Sequence, residues 1–272
     1  MLCFPNAKIN LGLRITEKRS DNYHTIETIF YPVNWNEALE IVENKKSELE
    51  FNLYLSGLPI NGNTTDNLLF KAYHLIKAKV LIPHIDVYLH KTLPMGAGLG
   101  GGSADAAFFT NLINTQFNLG LSKEIKLDIA KQLGSDCAFF IENTPVLATE
   151  KGDVFQSIKI DLSHLWIVII YPNIHSNTQE AYSLVKPQKN EKSLIEIISQ
   201  PIETWKTELK NDFEESIFFK YPIVKEVKTE LYNSGALYAC MSGSGSAVFG
   251  LFENKPQINK LTNYPHWIGK MK

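Results

Sequence analysis

Between residues 94 and 104 the chain reads Pro-Met-Gly-Ala-Gly-Leu-Gly-Gly-Gly-Ser-Ala, with glycines at 96, 98, 100, 101 and 102. Such a run is expensive to order, because glycine loses more backbone freedom on folding than any other residue. It also stands between two ordered patterns. Ile85, Val87 and Leu89 alternate as a strand, and residues from Ala104 to about Gln116 have helical spacing. A strand, a glycine turn and a helix entrance together gather backbone N–H groups and the positive helix end at one place. That combination suits an anion, and phosphate above all. Ser103 adds a hydroxyl at the helix entrance. The plain alternative is a tight or flexible turn with no ligand.

The kind of phosphate ligand is narrowed by what surrounds the loop. Gly96 to Gly101 satisfies G-x-G-x-x-G literally. A dinucleotide site needs a following strand and an acidic residue about 20 positions on. Here a second helix follows, with Ser122 as its N-cap, Glu124 in its first turn and Gly134 at its end. A Walker A loop fails too, since Gly102-Ser103 stands where Lys-Ser/Thr is required, and protein-kinase signatures are absent. The loop carries no cation of its own, so a lysine has to come from elsewhere.

Lys8 is one candidate. From Ala7 to Thr16 the chain alternates, with Ile9, Leu11, Leu13 and Ile15 on one face and Lys8, Asn10, Gly12 and Arg14 on the other. This predicts a half-buried strand with a polar second face, on which Lys8 is either a functional amine or an ordinary solvated one. Asp136 follows the helix stop at Gly134 and precedes the apolar run from Cys137 to Ile141. It reads either as a helix N-cap or as a working carboxylate.

The rest of the chain is mixed. Leu39 to Val42 and Leu49 to Leu55 read as strands, with Ser56-Gly57 as a turn. Thr65-Asp66-Asn67 offers a helix cap ahead of Leu68, Leu69, Ala72 and Ile76. A second unit is expected after Lys151-Gly152-Asp153. It contains a strand from Trp166 to Ile170, a helical stretch from Leu194 to Leu209 broken at Pro201, and a helix opened by Pro222 that carries Val224, Val227 and Leu231. Strands at Leu237 to Met241 and Ala247 to Phe252 flank Ser242-Gly-Ser-Gly-Ser246. Without strict βαβ alternation, the fold class is α+β. Twenty-seven basic residues against 29 acidic ones leave no charge footprint for nucleic acid or a membrane surface. Three scattered cysteines and an N-terminus without a hydrophobic core region fit a reduced, cytoplasmic protein.

Three ordered segments resemble the motifs of the GHMP kinase superfamily, which includes galactokinase, homoserine kinase and mevalonate kinase. They are Pro5 to Leu11, Pro94 to Ala104, and Ser242 to Ser246. Lys18 to Thr28 is similar to the signature of one branch, which phosphorylates a cytidine-diphosphate-linked sugar alcohol, and Gly134-Ser135-Asp136 is similar to its Gly-x-Asp.

The resemblance implies two domains: a ribosomal protein S5 domain 2-like N-terminal domain over 1–158 and a ferredoxin-like C-terminal domain over 159–272. It implies that ATP, with Mg²⁺ as its counter-ion, phosphorylates the 2-hydroxyl of a cytidyl-diphosphate methylerythritol on the non-mevalonate route to isoprenoid precursors. Asp136 takes the position of the catalytic base and Lys8 that of its partner. Pro94, Met95, Gly96, Ala97, Gly98, Leu99, Gly100, Gly101, Gly102, Ser103 and Ala104 take the ATP-phosphate position. Asn10, Tyr23, His24, Tyr182 and Ser244 are assigned to the substrate, with the cytosine at Tyr23, His24 and Tyr182. The implied partners are two small molecules, with no nucleic acid and no membrane, and the implied state is a monomer or homodimer.

Three departures stand out. Asn22 replaces the usual glycine, a tolerable exchange where φ is positive. Asn6 sits before Ala7-Lys8, where an insertion is uncommon. Ala104 stands where many relatives carry a second serine. The competing readings are a homoserine or mevalonate kinase, an ATP-binding protein without catalysis and, more remotely, a nicotinamide oxidoreductase.

Overall fold

The computed structural model describes the chain apart from Asn22, Ser47, Asn61, Asn177, Lys186, Lys189 and Asn190, and describes only the backbone of Thr178, Glu180 and Ser183. The turn expected at Asn22 therefore lies outside the described residues. Two compact units interleave along the sequence. One comprises Met1–Ala7, Asn36–Met95 and Gly100–Asn143; the other comprises Lys8–Trp35, Gly96–Leu99 and Thr144–Lys272.

The first unit is built on a four-stranded sheet, in the spatial order Leu2–Cys3, Ala38–Glu43, Ile85–Lys91, Phe51–Gly57. The first two pairings are antiparallel and the last is parallel. Parallel neighbours need a crossover, and helix Leu68–Lys77 provides it. Asn67 caps that helix as expected, its side-chain oxygen accepting from the Leu69 N–H at 2.9 Å. Leu69, Ala72, Tyr73 and Ile76 form one core with Leu39, Ile41, Ile85, Val87 and Leu89 of the sheet and with Phe109 and Ile113 of helix Gly101–Gln116. The same unit contains helices Lys123–Leu133 and Cys137–Glu142. The expected turn at Ser56-Gly57 is instead the end of the strand, in register with His90 and Lys91. Gly57 keeps its place there because a side chain on it would strike the Lys91 carbonyl.

The second unit holds two four-stranded sheets. One runs Tyr238–Met241, Val248–Phe252, Trp166–Ile170, His266–Lys270, antiparallel throughout. Val224, Val227 and Leu231 of helix Pro222–Asn233 pack into the core shared with this sheet. Pro201 breaks the helical stretch before it into Leu194–Ile198 and Ile202–Glu208. The other sheet runs Asn6–Lys18, His24–Asn36, Val146–Thr149, Val154–Ser157.

The polar face of Asn6–Lys18 corrects the sequence expectation. Lys8 and Asn10 are not solvated but 3 % and 1 % exposed, and Arg14 is buried as well. They are tolerated because each finds polar partners. Arg14, for example, donates to the Lys192 carbonyl at 2.6 Å and lies 3.6 Å from Glu27. Among the described residues no helix is long and apolar enough to cross a membrane.

Candidate functional site

The glycine segment is held by its carbonyls. The Ala97 carbonyl accepts from the Ala247 N–H at 3.0 Å, and the Leu99 carbonyl accepts from the Lys8 N–H at 2.9 Å. Between them, the Gly98 carbonyl accepts from the Ser242 hydroxyl at 2.8 Å. Across a trans peptide the N–H points opposite to the C=O. Drawing three successive carbonyls inward therefore turns the N–H groups of Gly98, Leu99 and Gly100 to the other side. Gly96, Gly98 and Gly100 take φ of +66°, +80° and +75°, alternating with Ala97 and Leu99 at negative φ, an alternation of sign that suits an anion nest. At Gly98 glycine is obligatory, since a Cβ would collide with the Ser242 carbonyl oxygen.

The helix that follows starts at Gly101, earlier than the expected Ala104, with left-handed Gly100 as its N-cap and no acidic residue in its first turn. Gly101, Gly102 and Ser103 thus form the first helical turn. Ser103 hydrogen-bonds the Cys137 thiol, which burial pushes up to about 11. Ala104 is fully buried.

Lys8 lies in the second unit on a buried polar node. Its ammonium donates to Asn10 Oδ1 at 2.8 Å and sits 4.8 Å from the centre of the Phe30 ring. Asn10 Nδ2 donates to the Thr28 hydroxyl at 2.9 Å, and Thr28 donates to the Gly12 carbonyl at 2.5 Å. The Ser242 hydroxyl also lies 3.3 Å from Asn10 Oδ1. Asn211 shapes the serine-glycine loop, donating to the carbonyls of both Met241 and Gly243 at 2.8 Å. Ser244 lies half-buried in that loop.

In the same unit His24 stacks on Tyr182, with centroids 5.1 Å apart and planes 18° from parallel, and Phe213 meets the other ring edge-on at 4.8 Å. Burial, and then the charge of Lys18, hold His24 below its ordinary pKa, so the ring is neutral at pH 7. Tyr23 does not join the stack. It is 62 % exposed, with the Lys151 amine 5.0 Å from its ring centre.

Asp136 lies in the first unit. It stands at the N-cap position of Cys137–Glu142, yet its side chain makes no capping hydrogen bond. Asn6 and Asn143 exchange side-chain hydrogen bonds at 3.3 and 2.5 Å, so the unusual Asn6 ties the entry of the first long strand to the left-handed C-cap of the Asp136 helix.

Sequence reasoning missed a second buried lysine. The Lys91 amine lies 2.5 Å from Glu37 and 2.7 Å from Asp105. Glu37 also accepts from the backbone N–H groups of Thr92 and Leu93, which fixes the chain just ahead of Pro94. Burial alone lowers the pKa of Lys91, but Asp105 and Glu37 carry it above the ordinary lysine value. Burial raises that of Asp105. Strand parity was the available signal, because Lys91 continues the inward series Ile85, Val87, Leu89. Thr28 had a similar signal between Ile26 and Phe30; Ser242 had its place at the head of the Ser242 to Ser246 motif, which marked the segment but not its partner. Among the described residues no cluster of His, Cys, Asp and Glu is arranged to hold a metal ion.

The profile described as "GHMP kinases N terminal domain" matches residues 67–143, and "GHMP kinases C terminal" matches residues 192–264. The chain is 49% identical over 261 residues to a 4-diphosphocytidyl-2-C-methyl-D-erythritol kinase of Bacteroides fragilis, covering 96% of this chain and 95% of that protein. It is 51% identical to the protein of the same name from Cytophaga hutchinsonii, covering 94% of each. A crystal structure of 4-(cytidine 5'-diphospho)-2C-methyl-D-erythritol kinase superposes with a TM-score of 0.83 at 25% identity, covering 100% of this chain and 99% of that one. The mevalonate kinase of Methanococcus jannaschii shares the fold at a TM-score of 0.67 and 15% identity, covering 100% and 98%.

Proposed function

We propose, from the premise that this chain belongs to the GHMP kinases and within them to the 4-diphosphocytidyl-2-C-methyl-D-erythritol kinase family, that it transfers the γ-phosphoryl group of ATP to the 2-hydroxyl of that cytidyl alcohol. The observation that carries the reading is the inward tether of three consecutive carbonyls in the glycine segment, one of them to the backbone of Lys8. It turns main-chain donors outward, and they suit the phosphates of a nucleotide.

In the reaction, Asp136 accepts the proton of the 2-hydroxyl while its oxygen bonds to phosphorus. The bond from phosphorus to the bridging β–γ oxygen breaks, and the electron pair leaves with ADP. The Lys8 ammonium stabilises negative charge on the moving group. Pro94 to Ala104 hold the ATP phosphates. Mg²⁺ entering with the nucleotide would supply charge neutralisation at the phosphates that Pro94 to Ala104 hold.

Neutral His24 offers an acceptor to the exocyclic amine of cytosine, and Tyr182 and Tyr23 supply aromatic faces. Ser244 is assigned to the substrate diphosphate. Asn10 was expected on the substrate, but its amide bonds to Lys8 and Thr28 favour a supporting role. The domain boundary proposed at residue 158 falls inside the second packing unit.

The test is a coupled ADP-release assay with the cytidyl alcohol, run beside mevalonate and homoserine. Turnover is expected with the first alone. Preference for either of the others overturns the substrate assignment.

A further inference from the structure

We infer that Thr28 is a positioning residue: through Asn10 it orients the ammonium of Lys8, and Ser242 ties the same node to the phosphate segment. The inference rests on the kinase reading for its catalytic readout, but the geometry stands independently of it.

The Thr28 hydroxyl carries one hydrogen. The Gly12 carbonyl, 2.5 Å away, can only accept, so that hydrogen is used there. The Thr28 oxygen must then accept from Asn10, which forces the NH₂ end of the amide toward Thr28. Asn10 Oδ1 is left facing Lys8, whose ammonium can only donate. Both ends of the chain therefore impose the same amide orientation. The opposite flip would set donor against donor at Lys8, in a node where Lys8, Asn10 and Thr28 are all nearly inaccessible.

Ser242 completes the node. Its single hydrogen is shared between the Gly98 carbonyl at 2.8 Å and Asn10 Oδ1 at 3.3 Å, with the shorter bond going to Gly98. The oxygen that anchors the amine thus also touches the group that anchors the nest. The Lys8 backbone adds a second tie through the Leu99 carbonyl. Thr28 and Ser242 therefore have separable duties: Thr28 governs where the amine points, and Ser242 governs the shape of the nest.

Three variants test this: Thr28→Val, which keeps the shape and removes the hydroxyl, Thr28→Ser, which returns it, and Ser242→Ala. Each is assayed for kcat and for KM of ATP. The lysine ammonium groups are followed by ¹H–¹⁵N correlation, with the Lys8 signal assigned by its loss in Lys8→Met. Thr28→Val is expected to lower kcat by about tenfold with KM for ATP within about twofold, and to shift or broaden the Lys8 ammonium signal. Thr28→Ser restores both. Ser242→Ala is expected to raise KM for ATP while the Lys8 signal persists.

An unchanged Lys8 signal and wild-type kcat in Thr28→Val overturn the inference. So does a wild-type spectrum with no signal that Lys8→Met removes. If Thr28→Val fails to fold, the wild-type ammonium signal and the Ser242→Ala split still decide. Wild-type protein that never turns over the cytidyl alcohol sinks the kinase reading alone, and the ammonium signal then judges the anchoring by itself.

Discussion

Lys8 and Lys91 are buried to the same degree, at 3 % exposure each, but different chemistry surrounds them. Lys91 is gripped by two carboxylates, of which Glu37 also binds the backbone amides of Thr92 and Leu93, while Asp105 projects from helix Gly101–Gln116. Lys8 donates to an amide oxygen and rests near an aromatic face. Carboxylates neutralise an ammonium and fix their own surroundings. An amide oxygen accepts from an ammonium and a ring face attracts it, and both give it direction. The first arrangement maintains structure, while the second orients the amine that the proposed reaction uses.

The comparison breaks most visibly at Lys91. Lys91→Met leaves two carboxylates buried together and is expected to cost about 3–5 kcal/mol in denaturant unfolding. Glu37→Gln and Asp105→Asn in the same chain, which remove both charges and keep an acceptor for the Thr92 and Leu93 N–H groups, should recover part of that loss. Wild-type stability in the single variant would remove the structural role assigned to Lys91.

Lys8→Met should do the reverse. Its kcat is expected to fall at least about 10²-fold, with a melting temperature close to that of wild type and nucleotide binding retained. Asp136→Asn should match it in steady-state kinetics. Near-normal turnover in both would withdraw their catalytic assignment.

Gly98→Ala sharpens the contrast from the side of the loop. The new methyl group meets the Ser242 carbonyl at a positive φ, so KM for ATP should rise by about tenfold, the scale of a strained residue in a binding loop. An unchanged KM would show that the nest does not receive the phosphates.

The smallest effect belongs to His24, whose folded-state pKa is depressed by burial and by Lys18. Its stabilising contribution is present above the unfolded value near 6.5 and is lost as pH falls through the window below it. Melting temperature should therefore drop slightly more between pH 7 and 5 in the wild type than in His24→Gln. KM for the cytidyl alcohol should rise over the same range.

Local rules made much of this legible in the sequence. Asn67 and Ser122 cap their helices, Pro222 opens another, and Val224, Val227 and Leu231 lie buried at helical spacing. The alternating Ile85, Val87 and Leu89 form a strand leading to the glycines. Long-range pairing was not legible. His24–Asn36 carries Pro32 in its middle and lacks clean alternation, so it does not read as a strand, yet it lies beside Asn6–Lys18 in the sheet. Within the site, the glycine segment and Lys8 were visible, because each is unusual where it stands. Glu37 was not, and Thr28 and Ser242 were visible only as members of motif segments, because the roles of all three arise from partners 16 to 232 positions away.

The Gly98–Ser242 contact has a practical corollary for protein engineering. The serine-glycine turn supplies both the hydroxyl that secures the glycine segment and the carbonyl that excludes any side chain from its middle. Neither stretch is a portable module. A graft of residues 94–104 onto a foreign scaffold would have to bring the 242–246 turn with it, and directed evolution of either stretch would have to diversify both together.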